Sequence, residues 1–96
     1  MPVSREYLTG ELSVLLEKLA AVTGTAAARD VASLRYQVET RPTTWLTAEM
    51  TRALALADQV CWDSLSRGDA RAFDRQAAIC AELHLFGTCS GLTDEE

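Results

Sequence analysis

Cys80 and His84 stand four residues apart. On a helix that spacing puts a thiol and an imidazole one turn apart on the same face, where both can reach one metal ion. Cys61 and Cys89 enlarge the set to three thiols and one imidazole, donors that zinc favours. Against that, the chain has no Cys-x-x-Cys pair, and Cys61 and Cys80 both fall on apolar faces, where cysteine packs as a small hydrophobe. His84 shares its face with Phe73 and Cys80 and suits the edge of a core equally well. These four residues therefore read either as a thiol–imidazole metal or redox module or as packing. Other catalytic patterns are missing from the sequence. The one histidine has no Ser or Cys nucleophile evidently held beside it by a third group. The residue three before it is Ala81, where paired-carboxylate iron sites on bundles carry Glu. No glycine-rich phosphate loop occurs. The expectation is a non-enzymatic protein with no cofactor, and zinc is the alternative.

Two tripeptides require comparison with known signals. Asp63-Ser64-Leu65 resembles the Asp-Ser-Leu at which acyl and peptidyl carrier proteins, themselves small acidic four-helix domains, take their phosphopantetheine arm. The resemblance covers three residues. Carriers place the serine at the start of a helix after a long loop, with a glycine two residues before the aspartate. Here Cys61 holds that place, and Ser64 falls near the end of a continuous helix on its inward stripe, out of a transferase's reach. Arg67-Gly68-Asp69 spells a cell-adhesion tripeptide, but a helix-ending glycine followed by a helix-capping aspartate accounts for it fully.

Four heptad stripes specify the elements that carry these residues. Leu8, Leu12, Leu15, Leu19 and Val22 form the first; Ala27, Val31, Leu34 and Val38 the second. Leu46, Met50, Ala53, Ala57, Val60 and Ser64 form the third; Phe73, Ala77 or Gln76, Cys80, Leu83 and Gly87 the fourth. Steps of three and four keep each set on one helical face. Ser4 caps the first helix, and Gly24 ends it in the left-handed conformation. Thr25 caps the second, which stops before Pro42; Thr43 or Thr44 caps the third, which runs to about Arg67. Gly68 and Asp69 separate the third from the fourth, which ends at Gly87 or Gly91. Connections of two to four residues join antiparallel neighbours. The predicted fold is an all-α, up-down-up-down four-helix bundle over residues 1–91, with residues 92–96 as a frayed acidic tail. Its expected core includes Leu15, Leu19, Val31, Leu34, Leu54, Ala57, Phe73 and Leu83.

On a wheel of the third helix Trp62 lands opposite the stripe, among Thr51, Ala55, Asp58, Gln59 and Ser66. Tyr36 is likewise opposite Leu34 and Val38, beside Arg29, Ala32 and Glu39. Large aromatics on solvent faces are typical interface anchors, which makes Trp62, Tyr36, Asp58 and Gln59 the candidate interface. The first helix carries a second, weaker row, Val3, Tyr7, Val14 and Ala21. Its apolar arc exceeds what one neighbour covers, so the helix either sits centrally or contributes to a dimer that completes the core.

Charge narrows the partner. The 96 residues carry a net −5, all of it contributed from Glu49 onward, where four arginines face nine acids. A phosphate-tracking surface needs clustered Lys and Arg, which excludes nucleic acid as the main partner. No segment approaches the ~20 apolar residues that span a bilayer. The opening Met-Pro-Val-Ser-Arg-Glu shows no basic region followed by an apolar one, and three cysteines suit reduced thiols; both lead to a cytoplasmic expectation. Eight arginines against one lysine, with many alanines, suggest a GC-rich bacterial source. The sequence reading is a cytoplasmic adaptor or regulatory subunit that binds another protein or itself.

Overall fold

The computed structural model describes residues 5–40 and 47–90. Helix accounts for 92% of these, and there is no strand among them. The four helices are α1 (Arg5–Ala21), α2 (Thr25–Thr40), α3 (Thr47–Ser66) and α4 (Ala70–Ser90). Each packs on its neighbours in a ring, α1 on α2, α2 on α3, α3 on α4 and α4 on α1, with a lighter diagonal contact between α1 and α3. Cross-helix partners fix the directions. Ser13 meets Glu39 while Glu17 meets Arg35; Lys18 meets Glu82 while the Val22 carbonyl meets Gln76; Asp58 meets His84 while Ser64 meets Gln76. Sequence positions run oppositely in every pair, so α1 is antiparallel to α2 and α4, and α3 to α4. The up-down-up-down topology is the one that short connections favour. None of the four helices is long and apolar enough to cross a membrane.

The stripes become the core. Leu12, Leu19, Val31, Leu34, Val38, Met50, Ala53, Ala57 and Leu83 are buried, as are Leu8 and Leu15 at the margin. Leu16, outside the first stripe, is also fully buried, so α1 presents two adjacent leucine rows to its neighbours. The second row of α1 stays outside: Tyr7 and Val14 are exposed. Leu54 and Phe73, expected inside, are only half-buried, and Gln76, not Ala77, is the buried residue at its step in α4.

The connections resolve by backbone bookkeeping. At the end of α3, Gly68 adopts φ +74°, its N–H reaches the Leu65 carbonyl at 3.1 Å, and the Asp69 N–H reaches the Ser64 carbonyl at 2.9 Å. These two bonds make a Schellman motif, which satisfies carbonyls that a helix end leaves orphaned. Asp69 then caps α4: its carboxylate accepts the Ala72 N–H at 3.1 Å, and its carbonyl accepts the Phe73 N–H at 3.0 Å.

Gly24 departs from expectation. It is not in the left-handed region, and its carbonyl accepts the Ala28 N–H at 2.9 Å, which makes it the N-cap of α2 in place of Thr25. α1 ends without a left-handed residue; three-residue bonds from the N–H groups of Val22 and Thr23 to the Leu19 and Ala20 carbonyls tighten its last turn. Gly87 does not end α4 either; it is buried within the helix, which continues to Ser90. The expectations placed on Ser4, Pro42, Thr43, Thr44, Leu46 and Gly91 lie outside the described residues.

Buried or part-buried polar clusters also bridge helices among the described residues. Ser64 donates to the Gln76 side-chain carbonyl at 2.5 Å, and the Gln76 amide donates to the Val22 carbonyl at 2.7 Å, past the end of α1. Ser64 and Gln76 are both buried, so this relay ties three helices together while leaving its polar atoms satisfied. Between α1 and α2, Arg35 lies 3.7 Å from Glu17 and 3.3 Å from Glu39 and donates to buried Ser13, which donates to Glu39.

Candidate functional site

A groove of about 400 Å³ lies between the outer faces of α3 and α4. Helix periodicity builds it. On α3, Asp58, Cys61, Trp62 and Leu65 occupy one flank at steps of three and four; on α4, Phe73, Ala77, Cys80, Ala81 and His84 occupy the other. The flanks differ in bulk. Trp62 and Leu65 reach out from α3, 64% and 53% exposed, whereas Ala77 and Ala81, one turn apart on α4, stop at Cβ and leave the space. Cys61 and Phe73 are half-buried.

At one end the groove becomes polar. The Cys80 thiol donates to Asp58 Oδ1 at 3.2 Å, and His84 Nε2 lies 3.6 Å from the same oxygen. Sγ of Cys80, a ring nitrogen of His84 and a carboxylate oxygen of Asp58 all fall within 4.8 Å of one another. Burial pushes the Cys80 thiol up to about 12, reinforced by its hydrogen bond to the Asp58 carboxylate and by that group's negative charge. Burial also raises Cys61, partly offset by a hydrogen bond with Cys80. As they stand, both thiols hold their protons at neutral pH, so neither is an activated nucleophile.

The structure thus joins two sets of residues that the sequence kept apart. Trp62 and Asp58, expected at an interface, share one groove with Cys61, Cys80 and His84, expected at a metal site. Cys89 is exposed on α4 and does not line the groove. Neither Tyr36, 67% exposed on α2, nor Gln59, whose amide donates to Asp63 at 3.0 Å along α3, lines it. The sequence places Asp58 with Trp62 in the candidate interface and not with the metal donors. Its position opposite Cys80 and His84 depends on the α3–α4 register, and spacing within one helix carries no information on that. Ser64, the serine of the carrier-like tripeptide, is 1% exposed and engaged with Gln76.

No protein-family model matches the chain, and neither a curated protein nor a solved structure matches it.

Proposed function

We propose that this chain is a non-enzymatic binding protein that works through the α3–α4 groove, and that its occupant is the same face of a second copy. The observation that supports this most directly is the pairing of an exposed tryptophan with an alanine-floored hollow on one surface. A two-fold contact needs a self-complementary patch, in which each feature meets its counterpart on the partner. Trp62 is the projection and the space over Ala77 and Ala81 is the recess; a two-fold axis through the groove seats each indole over the other chain's alanines. Aromatic rings bury large area with few rotatable bonds, which concentrates binding energy in such anchors. Leu65 extends the apolar strip, and the polar end at Asp58 and His84 forms part of the rim.

Ala81 supplies the test. It is exposed, so a longer side chain there does not disturb the core, yet Ala81→Glu fills the recess with a charge. Sedimentation velocity of the wild-type chain should show a concentration-dependent dimer, and Ala81→Glu should be monomeric with an unchanged far-ultraviolet circular dichroism spectrum. Wild-type association that survives Ala81→Glu would assign the contact to another face.

A further inference from the structure

The polar end of the groove has a geometry of its own, independent of what docks beside it. Metal–ligand bonds of 2.0–2.3 Å around a tetrahedral zinc imply donor–donor edges of about 3.3–3.8 Å. His84 Nε2 stands 3.6 Å from Asp58 Oδ1, inside that range, Cys80 Sγ stands 3.2 Å from it, just short of the range, and one donor atom from each residue lies within 4.8 Å of the others. The Cys80 thiol and the His84 ring converge on one oxygen of the Asp58 carboxylate. The three arise from two helices: Cys80 and His84 one turn apart on α4, and Asp58 facing them from α3.

We infer that Asp58, Cys80 and His84 form a site for a borderline divalent transition metal, zinc by its donor set, with three protein ligands and a fourth position open to water. Sulfur, imidazole and carboxylate together select neither magnesium or calcium, which take oxygen, nor copper(I), which takes sulfur alone. Binding exchanges the proton of Cys80 for the metal and releases that proton to solvent, so thiolate and carboxylate together neutralise the divalent charge. Cys61, which lines the groove with Cys80, is placed to support the thiolate. His84 and Asp58 have about half of their side-chain surface exposed, which leaves the ion a direct path in. This set differs from the one the cysteine spacing suggests: Asp58 enters, Cys89 is absent, and Cys61 is not a ligand.

Cobalt(II) added stepwise to the reduced full chain, in chelator-stripped anaerobic buffer, is the probe. We expect a thiolate-to-cobalt charge-transfer band and four-coordinate ligand-field bands that saturate at one equivalent per chain and are bleached by zinc. Cys80→Ser should abolish the charge-transfer band. Asp58→Asn, on an exposed side chain that the fold does not need, should weaken binding at least tenfold, and Cys89→Ser should change nothing. A band that survives Cys80→Ser, one that requires Cys89, or no band at one equivalent overturns the site. Sedimentation of the same samples reads the docking proposal separately, since a dimer can persist where cobalt fails to bind.

Discussion

Gln76 shows how much one side chain can carry in a bundle this small. It accepts from Ser64 and donates to the Val22 carbonyl, so Gln76→Ala strands a buried hydroxyl and a helix-end carbonyl together. Each stranded group costs about 1–3 kcal/mol, and urea unfolding of Gln76→Ala should show a loss in or above that range, larger than for Gln59→Ala on the exposed face of α3. The heptad steps allowed Gln76 or Ala77 at this position, and hydrophobicity alone could not choose between them. What decides is a partner 54 residues away, which no local pattern carries. Cys80 makes a second prediction. A thiol held near 12 is almost wholly protonated at pH 8, so in metal-free buffer iodoacetamide should modify exposed Cys89 first and Cys80 last, with Cys80 labelling still accelerating above pH 10. Because folding raises this thiol above its unfolded value of 9.0, the stabilising contribution is complete below about pH 9 and is lost as pH climbs toward 12. Wild type should therefore lose more stability across that window than Cys80→Ala, and equal slopes in the two proteins would contradict the assignment.

At the level of elements, most of the architecture was legible because each helix carries its own stripe and the burial pattern follows it. Leu19 belongs to the first stripe and is fully buried, so Leu19→Ala should cost about 2–5 kcal/mol through lost transfer energy and a residual cavity, measured by chemical denaturation. The Gly68–Asp69 junction was legible for the same reason: a left-handed glycine and a capping aspartate are both local chemistry. Gly68→Ala places a Cβ in a conformation that disfavours it and should cost about 1 kcal/mol, even though open space surrounds the position. Gly24 and Gly87 misled because glycine has several uses. It can serve as an N-cap, as at Gly24, and within a helix it can be buried, as at Gly87, and sequence alone does not separate these from a C-terminal stop. The inward position of Leu16 was missed because the stripe described a single seam, whereas α1 packs against three helices.

Across the whole molecule, the ring of antiparallel helices brings the outer face of α3 against that of α4, and this places Trp62, the alanine recess and the Asp58–Cys80–His84 cluster on one surface. The sequence offered the aromatic and the metal donors as unrelated candidates; their convergence depends on the inter-helix register alone. Self-association of this surface through Trp62, as proposed above, is the property on which the proposed function depends. Sedimentation equilibrium and thermal melting of wild type and Trp62→Ala, run side by side, test it most directly. A ring this exposed contributes little to the fold, so Trp62→Ala should change stability by less than about 1 kcal/mol. Its dimer should weaken by about 2 kcal/mol or more, roughly thirtyfold in Kd. A wild-type chain that stays monomeric up to about 1 mM, a dimer indifferent to Trp62→Ala, or a mutant that loses the ~3–5 kcal/mol expected of a core tryptophan would contradict it.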